Sequence, residues 1–143
     1  MVNTSLSRGM IMDAMVGKSF EPEVFLVNRD NLVAYAEASG DHNPIHLDET
    51  FAKSVGLPDV IAHGMYTMAL AGQAVRKWLG NDKEIIEFST RFTKPVVVPA
   101  NEQVQVIFTG RIAEVEEREI TLEVNALCND IKVLGLTKVR IRL

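Results

Sequence analysis

A single cysteine, Cys128, stands in a chain of 143 residues, so no internal disulfide can form and every zinc pattern built on cysteines is excluded. Charge blocks are missing too. Lys+Arg 15 against Asp+Glu 19 gives a net charge of -4, and neither sign runs for five or six consecutive positions, which leaves binding to nucleic acid or a membrane surface without electrostatic support. The longest stretch free of formal charge, Val60 to Val75, falls short of the roughly 18 residues that suggest a membrane span. No internal repeat, no charged-then-apolar leader and no glycine-rich dinucleotide turn after a strand is visible. These absences predict one domain in a reducing cytoplasm, acting on a small molecule with neither nicotinamide nor flavin.

What is present divides by period. Met1 to Met15 mixes polar residues with scattered methionines and is read as a variable N-terminal segment, leaving residues 16–143 as the domain. Lys18 to Val27 is a candidate strand, placed at a sheet edge because Pro22 cannot donate to a ladder. Asn28 caps a helix over Arg29 to Ser39, with Leu32, Val33, Tyr35 and Ala36 at helical spacing and Gly40 as its stop. Asp48 to Ser54 predicts a short helix with Phe51 and Ala52 inward. A long apolar helix from about His63 to Leu79 reads as buried on all sides and ends at Gly80-Asn81. Alternation then takes over through Ile86 and Phe88, Val104 to Ile112, Ile120 to Ala126 and Val133 to Leu143. Turns are expected at Glu116 to Glu119 and Asn129-Asp130, and Pro95 and Pro99 bracket an extended link. The order is α+β: an antiparallel sheet of five to six strands wrapped around a central helix, the hot-dog arrangement, with open edges suited to pairing with a second copy.

Two segments carry chemistry. Ser39-Gly40-Asp41-His42-Asn43-Pro44-Ile45-His46-Leu47-Asp48 sets a carboxylate and an imidazole in a stretch whose Gly and Asn-Pro cannot continue a helix. Ile61-Ala62-His63-Gly64-Met65 opens the apolar helix and offers backbone N–H donors to an anionic or carbonyl oxygen. Together they suggest water chemistry at a carbonyl compound. The loop lacks the Gly and Glu that an EF-hand needs at its sixth and twelfth positions, and no zinc ligand set closes around His42, His46 and His63, so no metal is expected. Asn43 is read as shaping the loop. His63 either orients the turn before Gly64 or fills the helix entrance, and is read as support.

Both segments resemble the two motifs of the MaoC-like (R)-specific enoyl-CoA hydratases, and Arg91-Phe92-Thr93 with Pro95 to Pro99 resembles the β-subunit type of (3R)-hydroxyacyl-acyl-carrier-protein dehydratase. The resemblance implies that Asp41 and His46 hold a water and act as the acid/base pair on a trans-2-enoyl thioester of CoA or acyl carrier protein, without a cofactor. It also implies that the Gly64 N–H binds the thioester oxygen. Burial beside an apolar acyl tunnel is expected to make Asp41 a better base. Some members carry a serine at the position of Gly72, whose lack of a side chain is expected to leave room near the tunnel. A homodimer is implied, or a heterodimer with a second hot-dog subunit, and a hot-dog thioesterase is the alternative chemistry. Arg76, Lys77, Arg91 and Lys94 are candidates for meeting the carrier's phosphates or are scattered surface charge.

Overall fold

A two-residue period dictates a sheet, and five strands carry it: β1 (Glu23–Val27), β2 (Glu84–Phe92), β3 (Val104–Val115), β4 (Glu119–Cys128) and β5 (Ile131–Arg142). The computed structural model describes residues 16–143, so the variable segment read at 1–15 lies outside the described residues. All strand pairs are antiparallel and the order is β1-β3-β4-β5-β2, which leaves β1 and β2 as edges. Val106, Phe108 and Ile112 of β3, Leu122 and Val124 of β4, and Val139 and Ile141 of β5 turn to one face and form the core. The two predicted hairpins close where expected. Glu116 N donates to Glu119 O at 2.8 Å, and Asn129 and Asp130 both take positive φ, 50° and 61°, the twist of a tight two-residue hairpin.

The helices follow local rules at their ends. Asn28 and Asn31 exchange hydrogen bonds at the start of α1 (Arg29–Ser39), with Asn31 N donating to Asn28 Oδ1 at 3.0 Å and Asn28 N to Asn31 Oδ1 at 2.8 Å. Gly40 stops α1 in the left-handed region at φ 79°. Asp48 Oδ1 accepts from Phe51 N at 3.0 Å and starts α2 (Glu49–Ser54). The long helix, α3 (Gly64–Leu79), is followed by Gly80.

Four sequence expectations need correction. The first strand begins at Glu23 rather than Lys18, because Pro22 breaks the ladder and only Ser19 pairs ahead of it, with Arg111. Helix α3 is amphipathic, not buried all round: Leu70, Ala71, Ala74, Val75 and Trp78 face inward while Met65, Gln73, Arg76 and Lys77 are exposed. A single sheet covers only one side of a helix. Val33 is exposed because α1 buries only Leu32 and Ala36, and Phe51 is exposed because the one-turn α2 buries only Ala52.

The end of α3 meets the sheet through Trp78. Its indole stacks on Phe20 with centroids 5.4 Å apart, and Nε1 donates to Glu21 O at 2.7 Å. Beneath the ring lies Gly110 of β3, where a Cβ would fall 2.5 Å from Trp78 Cζ3. Only glycine admits that approach. Gly110→Ala is therefore expected to lower stability by about 1–3 kcal/mol, as overpacking does. Urea unfolding followed by Trp78 fluorescence checks it, and an unshifted midpoint would show that the indole moves aside freely.

Candidate active site

The Asp41 loop is a succession of side-chain turns. After Gly40, Ser39 Oγ accepts from Asp41 N at 3.2 Å, Asp41 Oδ1 accepts from Asn43 N at 3.1 Å, and Asn43 Oδ1 accepts from Ile45 N at 3.2 Å. Pro44 then opens a single 3₁₀ turn, Pro44–His46, which swings the His46 ring inward to 8% exposure while Asp41 and His42 remain at the surface. The expectation that Asp41 is buried beside an apolar tunnel is thus corrected. The loop leaves α1 outward, and only the His46 end turns back.

Backbone pairing joins this loop to the second motif. Ile61 N donates to Ile45 O at 3.2 Å, Ala62 N to Val96 O at 2.9 Å and Val98 N to Val60 O at 2.9 Å, so Val60 to Ala62 is held between the loop and the Pro95–Pro99 link. His46 Nδ1 lies 2.7 Å from Ile61 O and His63 Nε2 lies 3.0 Å from Asp41 O. A carbonyl oxygen only accepts, so each nitrogen carries its proton and each ring is pinned in one tautomer. His46 Nε2 is left as a lone pair. The two imidazoles stack with centroids 3.8 Å apart and planes inclined by 24°, and Tyr35 packs against His63 at 4.7 Å.

Burial pushes the His46 pKa below its usual 6.5, assisted by the neighbouring His63, while the Nδ1–H bond to Ile61 O and the Asp41 charge pull it up. The balance favours neutral imidazole. His63 Nδ1 is buried and has no hydrogen-bond partner among the described residues. Asp41, His46 and His63 each offer a ligand atom within 4.8 Å of the others, a spacing that raises the question of a metal ion. A ligated metal lies in the imidazole plane at about 2 Å from nitrogen. Two planes stacked at 3.8 Å and inclined by 24° share no such point near both rings, so these residues do not fit a metal as they stand.

A cavity of about 260 Å³ opens beside His46 and is lined by Gly64, Thr67, Phe92, Lys94 and Leu134, among others. The start of α3 contributes Gly64 and Thr67 to this wall. Phe92, last residue of β2, lays its ring against Gly64, where a Cβ would come within 3.1 Å of three ring atoms. Of the four cations singled out in the sequence, Lys94 lines the cavity, whereas Lys77 pairs with Glu23 at 3.5 Å and Arg76 bonds Asn81 O at 3.4 Å. Gly72 is not in the wall. A Cβ there would meet Phe88 Cε2 at 3.8 Å, an ordinary contact, so the room left at Gly72 lies beside Phe88 rather than in this cavity. Sequence reasoning missed Thr67, Phe92 and Leu134 as lining. Thr67 was detectable, three residues from Gly64 on the same helix face. The other two depend on β2–β5 register, Phe92 opposite Leu134, beyond a bulge that no local pattern announces.

A family model described as "MaoC like domain" matches residues 5–128. The curated protein named 3-hydroxyacyl-thioester dehydratase X, from Mycobacterium tuberculosis, is 44% identical over 66 residues, 46% of this chain and 22% of that one. Among solved structures, one named MaoC-like dehydratase superposes with a TM-score of 0.88 at 34% identity, over 98% of this chain and 43% of the other. The R-hydratase PhaJ1 from Pseudomonas aeruginosa, unliganded, superposes with a TM-score of 0.83 at 21% identity, over 96% and 85%, a likeness of fold. This chain thus spans less than half the length of the first two. Its hot-dog sheet and helix, both motif segments and the match over most of its length lead to one assignment: the chain belongs to the MaoC-like domain family.

Proposed function

We propose that the chain is a cofactor-independent lyase that interconverts trans-2-enoyl thioesters and (3R)-3-hydroxyacyl thioesters. The observation that carries this reading is the unprotonated His46 Nε2, left free by the Nδ1–H bond to Ile61 O, on a ring with a nitrogen within 4.8 Å of an Asp41 carboxylate oxygen. One water fits between two such groups. In the hydration direction His46 Nε2 takes one proton from that water as its oxygen bonds to C3, and the same proton passes from Nε2 to C2. The hydroxyl and the proton come from one water, so the atoms balance and no electron changes hands. Asp41 accepts the water's remaining O–H and stabilises the transient imidazolium. Negative charge grows on the thioester oxygen meanwhile, and in this reading the Gly64 N–H at the start of α3 donates to it. The R configuration is drawn from the family.

Open edges at β1 and β2 support a homodimer with a continuous sheet, or pairing with a second hot-dog unit, since the longer relatives hold more chain than one such domain. The single buried cysteine, whose thiol burial pushes up, is compatible with a reducing cytoplasm, and no helix among the described residues is long and apolar enough to cross a membrane.

The test is hydration of crotonyl-CoA, followed as loss of the enoyl absorbance, with free thiol and sedimentation mass measured on the same sample. A steady loss without thiol release is the expected result. Thiol release would transfer the chain to the thioesterases, and activity that appears only on co-expression with a second hot-dog chain would replace the homodimer.

A further inference from the structure

Thr67 is among the few buried polar residues of the described chain, 4% exposed, and it lines the same cavity as His46 and Gly64. A threonine inside a helix usually turns its hydroxyl back onto the carbonyl four residues earlier. Here His63 O takes the backbone N–H groups of Tyr66 and Thr67, at 3.1 and 3.2 Å, and among the described residues the Thr67 hydroxyl is not one of the fully buried polar atoms left without a partner. Side chains on a helix lean toward its N-terminus, so the Thr67 side chain leans over the turn that begins at Gly64. A hydroxyl in the wall of a cavity can turn to a bound ligand as a donor. Valine has nearly the same shape, so filling this space does not by itself require a hydroxyl.

We propose that the Thr67 side chain is a second hydrogen-bond donor to the thioester oxygen, completing with the Gly64 N–H a two-donor oxyanion pocket. The proposal rests on the hydratase reading above. A carbonyl oxygen has two lone pairs, and the enolate-like oxygen that forms as C3 is attacked accepts both donors more strongly than the ground state does. Thr67 is therefore a catalytic residue in the sense that it touches the reacting thioester, and its contribution falls on turnover rather than on binding. The same geometry bears on Gly72, the position where some family members carry serine: it faces Phe88 and not the cavity. A hydroxyl on α3 reaches the site from one turn past the helix start instead.

Thr67→Val is expected to lower kcat for crotonyl-CoA hydration by roughly 10- to 10²-fold with little change in KM and a thermal midpoint close to that of the wild type. Thr67→Ser restores most of the lost turnover. A residue that merely packs the helix would give the opposite pattern, with valine tolerated in turnover and serine destabilising. Full kcat in Thr67→Val beside an inactive Asp41→Asn overturns the Thr67 assignment and leaves the hydratase reading standing. A folded wild-type chain that hydrates no enoyl thioester, CoA- or carrier-bound, overturns both.

Discussion

Replacing His46 by alanine is expected to lower kcat/KM by about 10²- to 10⁴-fold, the range for loss of an acid/base group. The same truncation leaves Ile61 O without its donor and removes the ring that stacks on His63, costing about 1–3 kcal/mol of stability. His46→Gln separates the two effects. Its amide can donate toward Ile61 O but offers no basic nitrogen, so the fold recovers and turnover does not. Retained turnover in either variant would remove His46 from the mechanism.

The wild-type pH profile gives a second view of the same group. The reaction as proposed uses neutral imidazole, and burial lowers the His46 pKa from 6.5, so activity falls on the acid side with a midpoint below that value. Stability moves in the same direction. A histidine whose folded pKa is depressed takes up its proton less readily in the native state than in the unfolded chain. Its stabilising contribution is therefore complete above the unfolded value and is lost as pH falls through the folded one. An acid limb above 6.5 would contradict the geometry.

Which parts of this molecule were legible in its sequence follows from the range of the forces involved. The Asn28–Asn31 box and the Gly40 stop are rules of a few residues, and α1 has the predicted bounds. Alternation in β3 and β4 is equally local, since a half-buried strand writes its own pattern. Burial of α3 was misread because an apolar helix signals only that something covers it, and the sheet covers one side. The exposure of Asp41 was misread for a related reason: the turn sequence determines the loop's shape, while its depth depends on which elements flank it. Phe92 became a wall of the cavity through pairing with Leu134, residues far apart in the chain, next to the β5 bulge at Gly135 and Leu136, where Leu136 takes φ 50°. No periodicity encodes such a contact.

Asp41→Asn is the change with which the proposed chemistry stands or falls. The amide retains an oxygen able to accept from Asn43 N, so the loop keeps its turn, and the exposed position carries no packing to lose. What disappears is charge and one acceptor. The water then loses the group that holds its second hydrogen, and the imidazolium that forms on His46 loses its counter-charge. Turnover is expected to fall about 10²- to 10⁴-fold with an unchanged thermal midpoint. The residual activity carries a further signature. Asp41 is one of the influences that raise the His46 pKa, so without it the acid limb of the pH profile moves to lower pH. A support role for Asp41 would lower turnover and stability together. Loss of turnover with a displaced limb and an intact fold is the result expected of two groups that share one water.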